Sequence, residues 1–161
     1  MIKFQKVYDV NKKLDDIYNS QINIPQEELV RKNKLELLVE IGELANETKC
    51  FKYWNDKEPN QDLIKIEYAD CFIMTLCFFN YLNISLEENF MLPKILYDKT
   101  DLFANLYNLA SEFYYTESKE VIKNIFVNLL ELGKLLKITD EEIIATCLNK
   151  IEINTKRLLE N

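Results

Sequence analysis

Four carboxylates stand out by their spacing. Glu40 and Glu43 lie three positions apart, and so do Glu67 and Asp70. Helical residues three apart share a face, so each pair can reach one ion. If the two segments pack together, four oxygen donors converge. That is the ligand chemistry Mg²⁺ prefers, with Mn²⁺ a possible substitute, and water and phosphate oxygens complete the shell. The competing reading is a solvated helix face, where such pairs are common. Context separates the two. Glu40 falls in the stripe of Leu37, Ile41 and Leu44, and Asp70 is the only charge between Glu67 and Glu87, among Tyr68, Cys71, Phe72, Ile73 and Met74. An unpaired buried carboxylate costs about several kcal/mol, and clustering adds like-charge repulsion. A divalent cation relieves both, so the pattern favours a metal site.

The elements that must position these groups read as helices. Apolar residues Phe4, Val7, Leu14 and Tyr18 recur on one stripe of a first helix, from about Phe4 to Ser20. Pro25 suits the first turn of a second, running to about Lys49. Asn55 to Asn60, with Pro59, reads as a loop, and a third helix follows from about Asp62 to Leu82. Ser85-Leu86-Glu87-Glu88 resembles a capping box opening a shorter helix limited by Pro93. Thr100 is a candidate cap for a helix through Phe113, Glu117 to Leu136 is a further amphipathic segment, and Thr139-x-x-Glu142 is a second capping box. No segment alternates with period two, and no repeat or linker interrupts the chain. The expectation is an all-α helical bundle forming one domain over residues 1–161.

Composition narrows the chemistry. The 161 residues carry a net charge of −7 and no basic stripe, which argues against a nucleic-acid polymer as partner. There is no histidine, which excludes Ser-His and Cys-His nucleophiles and His-ligated metals. Two glycines leave neither a P-loop nor a dinucleotide fingerprint. Carboxylates, amides, lysines and a metal must do the work. The four cysteines form no C-x-x-C pair and read as reduced core thiols. The longest apolar run, Cys71 to Leu82, contains Asn80 and is too short to span a bilayer. With no apolar signal region after Met1, a cytoplasmic location and no membrane partner are expected.

Glu40-x-x-Glu43 followed by Glu67-x-x-Asp70 resembles the signature of the all-α nucleoside triphosphate pyrophosphatases, which include MazG-like enzymes and dimeric dUTPases. The string Glu40-Ile-Gly-Glu-Leu-Ala-Asn-Glu-Thr-Lys-Cys-Phe-Lys-Tyr-Trp54 is similar to the dimeric dUTPase branch in particular. The likeness is strongest from Leu35 to Leu82. It implies a homodimer, Mg²⁺ held by Glu40, Glu43, Glu67 and Asp70, and water attack on the phosphate chain of dUTP to give dUMP and pyrophosphate. By resemblance, Glu40 is also the carboxylate placed to accept the water's proton.

The same resemblance suggests substrate contacts. Asn11 stands where the family places a uracil-reading amide, more often Gln. It interrupts the stripe of Val7, Leu14 and Tyr18, and an amide's donor and acceptor suit an imide edge. An Asn that fixes helix register explains it equally well. Asp15, one turn on, belongs either to that pocket or, more simply, to a solvated face. Lys150-x-x-x-Asn154-x-x-Arg157 resembles a family stretch that contacts phosphate and sugar, although Ile151 replaces a frequent Asn and the chain ends soon after Arg157. A basic last turn suiting the helix dipole is the plainer account. Lys52 and Trp54 follow the metal motif, Lys52 to approach phosphates and Trp54 to wall off the base, with ordinary core packing the commoner role of a tryptophan.

Two alternatives stay open. One keeps the chemistry but takes dCTP or a broader set of nucleotides. The other is a non-catalytic helical interaction protein, against which the four carboxylates argue.

Overall fold

The computed structural model describes residues 2–21, 23–86 and 98–160. A short 3₁₀ turn, Ile2–Phe4, leads into α1 (Gln5–Gln21), followed by α2 (Gln26–Thr48), α3 (Gln61–Tyr81), α4 (Lys99–Thr116), α5 (Lys119–Leu135) and α6 (Asp140–Leu159). No strand occurs among the described residues. The all-α expectation is borne out. The helix expected after Ser85 falls on residues 87–97, outside the described ones.

Local chemistry sets the boundaries. Asn60 caps α3, its Oδ1 accepting from the amides of Asp62 (2.9 Å) and Leu63 (3.3 Å). Thr139 and Glu142 form the expected capping box of α6. Two boundaries differ from the sequence reading. Asp98, not Thr100, caps α4 by accepting from the Asp101 amide at 2.9 Å; a carboxylate is the stronger acceptor at the positive end of a helix. Glu117 does not open α5 but closes α4 in the left-handed region, and Ser118 caps α5. Glu117 is held there by Lys34, whose buried Nζ lies 2.5 Å from its carboxylate and 3.1 Å from the Tyr114 carbonyl.

The chain turns after α3 and α5 without glycine. Asn83 and Lys137 take positive φ, and the amides of Ile84 and Ile138 reach back to the Phe79 and Gly133 carbonyls at 2.8 and 2.9 Å. Each isoleucine is then buried beyond the helix end, the apolar contact that accompanies this type of stop.

Helix α3 lies at the centre and packs against α1, α2, α5 and α6, while α4 bridges α2 and α5. Phe72 packs its ring, tilted, 5.0 Å from Phe4 and 5.2 Å from Phe126, and Phe79 lies 5.1 Å from Phe126. Each such buried ring contributes about 1.5–3 kcal/mol. All four cysteines are free, with Cys71 and Cys147 buried as expected of core thiols. No helix among the described residues is long and apolar enough to cross a membrane.

Candidate active site

Glu40 on α2 and Glu67 and Asp70 on α3 each place a carboxylate oxygen within 4.8 Å of the others. The hairpin of α2 and α3 makes this possible, because the three-residue spacing on α3 turns both of its carboxylates toward Glu40. The group is half-buried. Loss of solvent is the largest cause of its perturbation: it lifts Glu40 to about 7, with the charges of Asp70, Glu43, Glu36 and Glu67 adding to the effect. Glu67 and Asp70 are raised as well, burial again leading. Lys150 on α6 opposes the repulsion, with Nζ 2.7 Å from Asp70 Oδ2, and the charge of Arg157 acts on Asp70 in the same sense.

Glu43 stands beside this trio, not within it. It is exposed and lines a groove of about 450 Å³ with Val39, Gly42, Asn46, Glu47 and Glu67. Three positions along α2 from Glu40, it shares that groove with Glu67 of the trio. Its charge still reaches Glu40, Glu67 and Asp70.

A second cavity, of about 320 Å³, opens along the next turns of α3. Asn11, Asp15 and Tyr18 of α1, Asn33 and Glu36 of α2, Ile73, Met74, Cys77 and Asn80 of α3, and Asn154 of α6 are among its lining residues. It is continuous with the carboxylates by position. Ile73 and Met74 follow Asp70 by one turn, Glu36 precedes Glu40 by one, and Asn154 follows Lys150 by one. Asn11 is 1 % exposed, and its Nδ2 donates to the Ile73 carbonyl at 3.4 Å. That carbonyl only accepts, so it fixes which way the amide faces. Asn11 Oδ1 is left as the buried side-chain oxygen with no partner among the described residues. An orphaned acceptor in a cavity calls for a donor from a ligand.

A family model described as dUTPase matches residues 3–161. The chain belongs to the dUTPase family. Comparison with curated proteins gave no match. The all-α fold and the family together make this a dUTPase-type enzyme of the hydrolase class, with a nucleotide as substrate.

Within this dUTPase-type fold, the donor set suits a divalent cation. Three hard oxygens converge, their repulsion is only partly offset by Lys150, and no histidine or thiolate competes. Of the residues singled out in the sequence, the structure brings Glu40, Glu67, Asp70 and Lys150 into one cluster and Asn11, Asp15 and Asn154 into the adjoining cavity. Lys52 and Trp54 line neither cavity. Trp54 does not enter the core: it is 64 % exposed on the connector after α2, edge-on to Tyr53 at 5.0 Å. Asp15, read as a solvated charge, is half-buried and accepts from Asn80 Nδ2 at 3.1 Å. Sequence reasoning missed Glu36 and Asn80. Glu36 carried a signal, standing four residues before Glu40 on its face. Asn80 carried a weaker one, as the polar break in an apolar run.

Proposed function

We propose that the chain hydrolyses dUTP to dUMP and pyrophosphate, with Mg²⁺ held by Glu40, Glu67 and Asp70 and with Glu43 at the rim of the same site. The observation that carries this reading is the orphaned Asn11 Oδ1 in a cavity that adjoins the carboxylate cluster. Uracil carries an N–H on its imide edge, which is the donor this acceptor lacks. When bound, the cation supplies charge neutralisation on the phosphate chain and acidifies a water molecule.

The chain's own residues do the rest. Asn11 orients the base, and the apolar side chains of Leu14, Val30 and Phe78 exclude water around it. Glu40, kept ionised once the cation is bound, is the carboxylate placed to take the proton of the attacking water. Lys150 and Arg157 set positive charge beside Asp70, where phosphate oxygens approach, and Asn154 faces the sugar from the cavity wall. Lys52 and Trp54 serve this site only if the connector after α2 folds over the bound nucleotide. We also place the enzyme as a homodimer acting on free nucleotide in the cytoplasm, supported by the family resemblance.

The test is pyrophosphate release from dUTP, dCTP, dTTP and UTP with Mg²⁺, for the native chain and for Glu40→Gln. Turnover of dUTP that the substitution abolishes supports both substrate and site. A folded native protein that releases no pyrophosphate from any of them with Mg²⁺ present overturns the reading.

A further inference from the structure

Asp70 has a partner before any ligand arrives. Lys150 Nζ lies 2.7 Å from its Oδ2, and both side chains are mostly buried. Asp70 also belongs to the trio, with Glu40 and Glu67, whose oxygens come within 4.8 Å of one another. An ammonium therefore already holds a carboxylate that a cation at the trio needs as a ligand.

An ammonium and a dication repel, and burial keeps solvent and salt from screening them. Relief by moving the helix is blocked. Ile143, Cys147 and Ile151 anchor α6 in the core, and Lys65 on α3 pairs with Glu142 at 2.7 Å. The lysine side chain is the part able to move, a flexible stem ending in a compact charge with rotatable donors. Around it, Asp70, Glu40 and Glu67 are the acceptors the cation itself takes. Phosphate oxygens of a nucleotide supply the partner that Lys150 then lacks.

We propose that Lys150 stands in for the cation while the site is empty, and that the phosphate chain of a nucleotide, by drawing Lys150 off Asp70, opens the trio to tight cation binding. The inference rests on the trio being the cation site of the reading above. Cation alone meets an ammonium and binds weakly. Nucleotide alone brings its phosphates against three carboxylates. Each ligand removes the obstacle to the other, so the two bind with a coupling that is the same read from either side.

The experiment measures free Mn²⁺ by electron paramagnetic resonance, at one pH, for the native chain, Lys150→Met and Lys150→Arg. Each is titrated alone and with saturating α,β-imido-dUTP, whose bridging nitrogen resists cleavage. Chelation of Mn²⁺ by the analogue in solution is common to all three and cancels in their ratios. Without the analogue, Lys150→Met should bind Mn²⁺ about tenfold or more tightly than the native chain, and with it that advantage should vanish. Lys150→Arg keeps the charge and can grip Asp70 with two N–H groups, so it should bind Mn²⁺ no tighter than the native chain. It is also the variant that decides if methionine disrupts folding.

A methionine variant that binds no tighter than native, or an arginine variant that binds tighter, overturns the inference. So does a methionine advantage of equal size with and without the analogue, which would make Lys150 a fixed charge. Turnover of dUTP with Mg²⁺ alongside any of these leaves the dUTP reading standing. The expected ratios without turnover of any nucleotide would support the role of Lys150 and sink the catalytic reading instead. Mn²⁺ bound by none of the three, with or without the analogue, overturns the inference together with the cation site.

Discussion

Lys150 Nζ stands 2.7 Å from Asp70 Oδ2 and ties α6 to α3 at the carboxylate cluster. Both side chains are mostly buried, so the pair is unlike the exposed bridge between Lys156 and Glu152 on the same helix. Removing Lys150 leaves Asp70 among carboxylates with less to offset it. Lys150→Met should destabilise the metal-free protein by about 1–3 kcal/mol, since breaking a buried pair strands its partner. Lys156→Met should leave stability unchanged within error. Denaturant unfolding in a chelator checks both, and equal effects would show that burial does not distinguish the two bridges.

The cluster also fixes how stability depends on pH. Glu40 has an ordinary value near 4.5 and is lifted to about 7 in the fold, with Glu67 and Asp70 raised too. The native state then holds protons that the unfolded chain has released. Without divalent cation, the stability from these groups is fully present below about 4.5 and is lost as pH rises through about 7. A cation competes with those protons and stabilises the ionised form, so its benefit must grow over the same window. Melting in a chelator should show Tm falling from about pH 5 to about pH 8. Added Mg²⁺ should raise Tm more at the upper end. A Mg²⁺ effect independent of pH would separate cation binding from these carboxylates.

The helices and their order were legible because apolar periodicity and the capping box at Thr139 are local signals. Asn11 was legible as a buried polar residue because it breaks its own helix's apolar stripe. Asp15 was not. Its neighbours Lys12, Lys13 and Asp16 are exposed, and the groups that bury it, Cys77 and Asn80, come from a helix more than sixty residues away. Lys34 was hidden in the same way, because Tyr114 on α4 and Glu117 at its C-terminal cap supply its partners. The spacing at Glu40 and Glu43 predicts four converging carboxylates; in the fold Glu40, Glu67 and Asp70 bring their oxygens together, and Glu43 lines the adjoining groove with Glu67. Spacing gives the face shared by two residues; it does not give the point at which their tips meet.

The two glycines separate two kinds of close approach. A Cβ on Gly133 would lie 2.8 Å from Tyr68 Oη and 3.1 Å from its Cζ. Tyr68 is 1 % exposed and donates to the Leu129 carbonyl at 2.7 Å, so it cannot step aside. Gly133→Ala should destabilise by about 2–4 kcal/mol despite alanine's better helix propensity. A Cβ on Gly42 would meet Tyr107 Oη at 2.5 Å, but Tyr107 is 39 % exposed and its ring can swing outward. Gly42→Ala should therefore cost less than about 1 kcal/mol. In a Tyr68→Phe background, which removes the nearest atom, the penalty at Gly133 should shrink, and a double-mutant cycle measures that coupling.

Asn11 puts recognition and stability in opposition. Its Oδ1 is buried without a partner, and its one hydrogen bond, to the Ile73 carbonyl, is long at 3.4 Å. A buried acceptor left unsatisfied costs about 1–3 kcal/mol, a penalty that a leucine of similar size does not carry. Asn11→Leu should accordingly keep or raise Tm, with the freed Ile73 carbonyl remaining in its helical bond. The same change deletes the acceptor proposed for the base, and a site built to hydrogen-bond its ligand loses far more than one built on apolar contact. The expected result is a fall in kcat/KM for dUTP of about 100-fold or more. A contact between Asn11 and the base, as proposed, holds alike before and during the reaction, so the loss should sit chiefly in KM. Activity that survives Asn11→Leu would mean that Asn11 serves helix register, and the orphaned oxygen would then be a stability cost without a matching role in binding.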